Sequence, residues 1–541
     1  MAAVKFFVYK HIVRDVASLN NFLKCLKFSA GTVLASARCL HYAAMVDNNP
    51  DNYPNMSHPT MSAAAQNLDI IKQKFLWISD HVPCFGIRGD NITVIKEPVE
   101  FYKTVMDMFA QAQHRIVIAS LYLGTGVLEK QLVQSIETAC EQAVVSGNTD
   151  FQVHILLDFN RGTRGGHSSS RSMLLPLVQK YKDLVHVHLY HTPDLRGLVR
   201  RYLPERINET VGLNHMKIYL ADDDFVISGA NLSDSYFTDR QDRYIAFRQC
   251  RHMADYWRDI VTSTARFSFQ LQGDNSVTYP TSSPHPYEGP DGGKEFKHFA
   301  HQCITSVNKT WNTRTDSSSF CDQSSIERTG YDTWLFPLIQ MGPFQIGDDE
   351  FVTEQLFRKA QSSDKLVLAS GYFNLTRNYL DVILKESSGN FDILTASPEA
   401  NGFHGATGIS QYIPAVYTLI ASQFHGEVRH AKQEERIALY EYSRPYWTFH
   451  GKGLWYYVDP SRFPVLTLIG SPNFGYRSVY RDLECQVAVV TANPALQLQL
   501  KQENDRLSEQ CEAVTEATFQ HADRAVPLIP RLFTSIIKHY F

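Results

Sequence analysis

Four blocks of sequence recur in the same order about 240 residues apart, a period far longer than a solenoid repeat, which implies two related domains rather than an array. "HRIVIASLYLG" (114–124) answers "DKLVLASGYFN" (364–374), and "FQVHILLDFNRG" (151–162) answers "NFDILTASPEANG" (390–402). "HMKIYLA" (215–221) then pairs with "HGKGLWYYV" (450–458), and "ISGANLSDSYF" (227–237) with "IGSPNFGYRSV" (469–479). Each half alternates β-type apolar runs with helical segments such as "EPVEFYKTVMDMFAQAQ" and "TEQLFRKAQ", the rhythm of an α/β sandwich. The length of 541 residues agrees, because a single core stops growing at roughly 250–300 residues.

The stretch between the halves, from "GDNSVTYPTSSPHPYEGPDGG" to "TRTDSSSFCDQSSIERTG", is rich in Ser, Thr, Pro, Gly and Asp and reads as a polar insert over 272–330. The predicted order is a first α/β domain over 75–271, that insert, and a second domain over 331–541 ending in C-terminal helices. Ahead of them, Lys5, Lys10, Arg14, Lys24, Lys27 and Arg38 face only Asp15 within residues 1–45. That acid-poor amphipathic text reads as an organelle transit peptide, with a plain basic helix as the alternative. Polar "VDNNPDNYPNMSHPTMS" opens a flexible connector over 46–74.

A net charge of −4 supplies no global basic field for nucleic acid, so any phosphate recognition has to be local. The nine cysteines are scattered without a C-x-x-C, which gives no zinc framework and fits a reducing compartment. No apolar run approaches the roughly 18–20 residues that cross a bilayer. The chain is expected to lie on a membrane at most.

A bare His-x-Lys is a weak signal, since about one such triplet arises by chance on ordinary composition. His430-Ala431-Lys432 is the control: it runs into "QEERIAL" and reads as a solvated charged face. The other two have context. Residues i and i+2 of a strand share a face, so His215 with Lys217, and His450 with Lys452, each set an imidazole beside an ammonium. Each pair is followed by a β run, a turn, a second β run and a Gly before Asn: Gly229-Ala230-Asn231 and Gly470-Ser471-Pro472-Asn473, one residue longer in the second half. Eleven residues beyond each Asn stands a carboxylate, Asp242 after Asn231 and Glu484 after Asn473.

These types suit phosphoryl transfer. A neutral imidazole attacks phosphorus, and a second imidazole moves the proton of the departing or incoming oxygen. Lysines and the amides of Asn231 and Asn473 meet charge on the non-bridging oxygens. A carboxylate on the other nitrogen of each ring fixes its tautomer. No metal ligand set is needed.

"HMKIYLAD" with "GAN", and "HGK" with "GSPNFGYRS", resemble the paired HxKxxxxD motifs of the phospholipase D superfamily. Text outside those motifs, including "ASLYLGTG", "LDFNRGTRG", "PERINETVGLNHMKIYL" and "SPEANGF", is similar to the family of eukaryotic mitochondrial phosphatidylglycerophosphate synthases, from residue 75 to the C-terminus. The resemblance implies two tandem phospholipase D-like α/β sandwich domains with pseudo-two-fold symmetry and an active site at their interface. It implies that His215, Lys217, Asp222, His450 and Lys452 are catalytic, although the second motif carries Tyr457 where the first has Asp222. The implied reaction transfers the phosphatidyl group of CDP-diacylglycerol to glycerol 3-phosphate through a phosphatidyl-histidine. CMP leaves, in the committed step toward phosphatidylglycerol and cardiolipin.

Family habit makes His215 the nucleophile, with His450 protonating CMP and then deprotonating the acceptor; the residues alone fit the reverse assignment equally. The resemblance further implies a mitochondrial protein, peripheral on the matrix side of the inner membrane, that meets phospholipid and no nucleic acid, requires no cofactor, and could form a homo-oligomer. Rival readings keep the fold but change the acceptor, to water, serine or phosphatidylglycerol, or leave a dead lipid-binding scaffold.

Other candidates are less specific. Gly124-Thr125-Gly126 follows a β run and could cradle a phosphate, a nucleotide site over 119–126 being one family reading, or be a simple turn. Arg161 and Arg164 could hold glycerol phosphate, as could Arg196, Arg200, Arg201 and Arg206, which could instead meet anionic lipid or water. Arg477 and Ser478 follow the second Asn as supporting residues. "RGLVRRYL" and the terminal "RLFTSIIKHYF" are candidate membrane-contact segments, or packed amphipathic helices.

Overall fold

The computed structural model describes residues 61–204, 208–315, 329–459, 462–527 and 531. The expected transit peptide, the start of the connector, Arg206 and residues 532–541 lie outside the described residues.

Two large sheets organise the chain. In the first half, β1 (Ile92–Ile95), β2 (Arg115–Ala119), β3 (Gln152–Asp158), β4 (Val185–Tyr190), β5 (Ile218–Ala221), β6 (Asp224–Ser228) and β7 (Tyr244–Phe247) lie side by side in the order β4-β3-β2-β5-β6-β7-β1. In the second, β8 (Thr333–Met341), β9 (Lys365–Ser370), β10 (Asn390–Ala396), β11 (Ile437–Tyr442), β12 (Lys452–Tyr457), β13 (Leu466–Gly470) and β14 (Leu483–Thr491) follow β11-β10-β9-β12-β13-β14-β8. The two orders match strand for strand. In each half the first three strands of that order run parallel, and the remaining pairings are antiparallel. The duplication is therefore a pair of α/β domains with the same topology, as the repeated text predicts.

Helices cover both faces of each sheet, so strand text is near-continuously apolar rather than alternating. All nine residues of β8 are buried. One apolar core lies between the sheets, where Ile218, Ile227 and Phe247 share a cluster with Leu335, Ile339, Trp455 and Val487. Helices Arg251–Ala265 and Pro494–Ser508, which follow β7 and β14, contribute Trp257, Ile260, Leu496 and Leu500 to it. Helices Pro98–Ala110 and Val127–Ser146 pack on the outer face of the first sheet, and Asp348–Arg358 and Ile413–His430 on that of the second.

Three expected boundaries move. The connector does not extend to residue 74, because Met61–Phe75 is a helix whose Leu68, Ile71 and Phe75 are buried against Trp334 and Leu338. The segment Phe85–Ile87, expected in the first domain, pairs antiparallel with β8 of the second, so the chain enters the second sheet before building the first. The polar insert also contains a helix, Lys294–Arg314. Its Phe296, Ala300, Cys303, Ile304 and Trp311 recur at helical spacing and are buried in the core between the sheets. Composition averaged over 272–330 conceals that stripe, because Ser, Thr and Pro crowd both sides of it.

Candidate active site

The first motif starts as an extended segment that leaves its own sheet. Leu483 N–H donates to Leu213 O at 2.9 Å and His215 N–H donates to Leu483 O at 2.8 Å, so residues 213–215 lie along the start of β14. The second motif does the reciprocal thing. Thr448–Phe449 pairs in parallel with Arg240–Gln241, and His450 N–H donates to Gln241 O at 2.8 Å. Each half thus delivers its histidine to the carboxylate of the other.

His215 Nδ1 is 2.9 Å from Glu484 Oε2, and His450 Nδ1 is 2.6 Å from Asp242 Oδ2. With Nδ1–H committed to Glu484, the lone pair of the neutral His215 ring is on Nε2; Nδ1 of His450 meets Lys452 Nζ at 2.8 Å as well as Asp242. Lys217 Nζ donates to His215 O at 2.7 Å and Lys452 Nζ to His450 O at 2.8 Å, each retaining further N–H donors for a ligand. Burial, reinforced by Lys217, holds His215 well below the ordinary imidazole range. Burial and Lys452 do the same for His450, and a proton on His215 would lower it further, so the two rings cannot both be charged at once. Both are neutral at pH 7. Burial also pushes Lys217 down to about 7 and raises Asp242 and Glu484.

The pair is not symmetric in access. The side chain of His215 keeps 11% of its surface exposed and that of His450 keeps 4%, because Tyr236 and Tyr372 stand edge-on to the His450 ring. Tyr236 Oη lies 3.3 Å from His450 Nε2. Among the described residues, no hydrogen-bond partner occupies Nε2 of His215. The oxygens of the Asn231 and Asn473 side chains are buried without a partner, as polar groups reserved for a ligand would be.

The repeat is tighter than the text suggests. Ser228 pairs with Tyr244 and Gly470 with Gln486, each two residues past the carboxylate that meets a histidine, so Ser228-Gly229-Ala230-Asn231 matches Gly470-Ser471-Pro472-Asn473 without an insertion. The two glycines are not equivalent. A Cβ on Gly229 would sit 2.7 Å from both Asp242 Oδ1 and Lys452 Nζ, so only glycine admits the opposite lysine there. Ser471, its counterpart, instead donates to Cys485 O at 3.1 Å and accepts Cys485 N–H at 3.0 Å.

Asp222, expected to be catalytic, does structural work. It caps the β5–β6 turn, and its carboxylate accepts the N–H groups of Gln113, His114 and Arg115 at 2.9, 2.7 and 3.0 Å, fixing the start of β2. It stands at the far end of the motif from His215, about 23 Å away at the rise of a strand. In the second half Asp364 takes over this task, accepting Gln361 N–H at 2.7 Å and Tyr456 O–H at 2.8 Å. Tyr457 is therefore free to pack in the inter-sheet core with its hydroxyl 2.7 Å from Asn504 Nδ2, and its departure from the motif leaves the site intact.

The remaining candidates separate. Gly124 N–H already donates to Leu232 O at 2.8 Å, and the carboxylate of Glu129 packs against Gly124 and Gly126, with Asp234 N–H donating to it at 2.7 Å. That loop encloses an anion of its own rather than a phosphate; Thr125 Oγ1 meets Ser168 Oγ at 3.2 Å. Arg164 pairs with Glu209, and Arg161 lies 3.7 Å from the same carboxylate and 4.4 Å from the centre of the Tyr122 ring. Arg477 pairs with Asp482 at 3.2 Å, while Ser478 Oγ accepts Asn473 N–H at 3.0 Å. Tyr236 was not singled out by the motif, yet it stands five residues past Asn231 as Ser478 does past Asn473. Aligning the halves on their asparagines would have found it.

No family model matches the chain. It is 46% identical over 482 residues, 86% of each chain, to the mitochondrial CDP-diacylglycerol–glycerol-3-phosphate 3-phosphatidyltransferase of Cricetulus griseus, and 45% identical over the same shares to that of Homo sapiens. The Schizosaccharomyces pombe enzyme of that name is 30% identical over 84% of this chain and 95% of its own. The crystal structure of phosphatidylserine synthase from Haemophilus influenzae superposes with a TM-score of 0.61 at 18% identity, covering 88% of this chain and all of that one, and so shares the fold.

Proposed function

We propose a double-displacement cycle for a chain that belongs to the family of CDP-diacylglycerol–glycerol-3-phosphate 3-phosphatidyltransferases. The observation that carries the cycle is the crossed pairing, Glu484 on His215 and Asp242 on His450, which prepares two neutral imidazoles in one interface. Nε2 of His215, the more open ring, attacks the phosphorus that bears diacylglycerol. The P–N bond forms, the P–O bond to CMP breaks, and CMP departs with the bonding electrons. Lys217, Lys452, Asn231 and Asn473 hold the non-bridging oxygens while charge builds on them.

Burial keeps His450 neutral at rest, which suits it to take the proton of the 1-hydroxyl of glycerol 3-phosphate. The alkoxide oxygen then displaces His215 from phosphorus, giving phosphatidylglycerophosphate with retention after two in-line steps. This product feeds phosphatidylglycerol and cardiolipin. The groups named provide the charge and proton transfers the cycle needs without a metal or cofactor.

Among the described residues no helix is long and apolar enough to cross a membrane. The protein works from the surface of the mitochondrial inner membrane, on its matrix side. Leu198 and Tyr202, 58% and 67% exposed, form an apolar ridge suited to that surface.

The test is the purified protein in mixed micelles of CDP-diacylglycerol with labelled glycerol 3-phosphate. Equimolar CMP and labelled phosphatidylglycerophosphate are expected, also with a chelator present. Incorporation of serine or phosphatidylglycerol, or CMP release into phosphatidic acid alone, would replace this reading by a rival acceptor. The crossed carboxylates are checked separately. Asp242→Asn and Glu484→Gln keep side-chain shape but surrender the fixed tautomer, and each should lower turnover about 10^2-fold with the thermal midpoint retained. Wild-type rates would show that the rings are oriented by something else.

A further inference from the structure

Beside the paired histidines the first half holds a cavity of about 700 Å³ that the cycle above does not use. Its wall includes Asn160, Arg164, His191, Arg200, Arg201 and Asn208, with Glu288 as its acid. It opens at the carboxyl ends of β3 and β4, where ligands of open α/β sheets gather. His215 rises from the same edge, since Ile218 pairs with Ala119, the last residue of β2. A single carboxylate joins the two places. Asp158, the last residue of β3, accepts Arg161 N–H at 2.8 Å and Asn214 N–H at 3.2 Å, so it anchors the cavity wall on one side and the neighbour of His215 on the other.

We propose that this cavity binds the phosphate of the acceptor, and that Arg200 and Arg201 make the enzyme select a phosphorylated alcohol over a neutral one. The inference rests on the proposed reaction and names the part of the site that reads its second substrate. A phosphomonoester carries a charge of about −1.5 to −2 at pH 7. Water, glycerol and serine offer no such group, so cations are the means of telling them apart. Arg164 is neutralised by Glu209. Among the described residues, Arg200 and Arg201 have no carboxylate partner. The guanidinium of Arg200 is stacked 3.9 Å above the Tyr287 ring, which fixes its plane while leaving its N–H edge open for bidentate contact. The Asn208 side-chain oxygen is buried in the same wall without a partner, a place for a ligand hydroxyl to donate.

The nucleotide phosphates of the donor and an anionic lipid surface share this chemistry, so the experiment must separate three sources. Full-length Arg200→Gln/Arg201→Gln and Arg200→Lys/Arg201→Lys proteins are assayed in mixed micelles, varying glycerol 3-phosphate and CDP-diacylglycerol in turn. Flotation with vesicles containing one-third anionic lipid measures membrane binding. The expected result is a KM for glycerol 3-phosphate raised tenfold or more in the Gln variant and partly restored in the Lys variant, with the KM for CDP-diacylglycerol within twofold of wild type. Competitive inhibition by inorganic phosphate against glycerol 3-phosphate should weaken in parallel. A raised donor KM alone would reassign the cavity to the nucleotide and overturn the proposal. Loss of vesicle binding with both KM values unchanged would reassign it to lipid, and no change in any of these would remove the arginines from substrate recognition. If the wild-type protein itself does not use glycerol 3-phosphate, the reaction reading fails first, which is a different result from these.

Discussion

Replacing His450 with Ala should leave a labelled phosphatidyl group attached to the protein, whereas replacing His215 with Ala should leave none. The two steps make unequal demands on a proton carrier. CMP leaves through a phosphate oxygen whose conjugate acid has a pKa of about 6, so departure at neutral pH needs little help. The acceptor hydroxyl, a far weaker acid, must surrender its proton to a base as it attacks. Without His450 the first displacement still proceeds and the second stalls, so the covalent intermediate accumulates while overall turnover falls about 10^2- to 10^4-fold.

Without His215 there is no atom to form the P–N bond, and turnover should fall by about 10^4-fold or more. The measurement is a single-turnover reaction with CDP-diacylglycerol radiolabelled at the phosphorus that bears diacylglycerol, quenched in denaturing detergent without acid, because a P–N bond is lost in acid. Label on the His215→Ala protein, or its absence on the His450→Ala protein alongside a CMP burst, would reverse the assignment. The 11% exposure of His215 against 4% for His450 favours the stated order, as the attacked diester must reach the ring first.

The repeated text carried the topology, because a duplicated domain repeats its hydrophobic pattern and its motifs together. Seven strands in each half fall in the same order, and His215, Lys217, His450, Lys452, Asp242 and Glu484 meet at one interface. What the text could not carry is which carboxylate serves which ring. Spacing places one carboxylate in each half without pairing it to a ring, and 213–215 and Thr448–Phe449 cross to the opposite sheet, a backbone pairing that leaves no sequence period. The glycine-rich loop was open to two readings, a phosphate cradle or a simple turn. Gly124 and Gly126 do lie close to an anion, and the anion is Glu129, three residues on. Asp222 belongs to the motif by position, yet a carboxylate at a turn satisfies orphan N–H groups as readily as it serves chemistry.

The same crossing explains a glycine in the second motif and leads to a large effect on stability. Arg243, next to Asp242, sends its fully buried guanidinium into the second half. There Nε and Nη2 donate to the two oxygens of Glu503 at 3.0 and 2.8 Å, Nη1 donates to Leu468 O at 2.8 Å, and the Trp455 ring lies 3.7 Å beneath. The space exists only because residue 453 is glycine: a Cβ there would overlap both Nη1 and the Leu468 carbonyl, and its φ of +130° disfavours any side chain. The first motif has Ile218 at this place and admits no such visitor.

A buried ion pair contributes little against an apolar pair of equal size, but removing one partner strands a charge. Glu503→Ala should therefore cost about 3–5 kcal/mol, and it also leaves Trp455 Nε1–H without the carboxylate it donates to at 2.9 Å. Arg243→Met/Glu503→Leu should recover most of that loss, and both should be read from urea midpoints alongside turnover. If Glu503→Ala unfolds at the wild-type midpoint, or if the double variant is no more stable than the single, the guanidinium is not the anchor that holds Asp242 against His450.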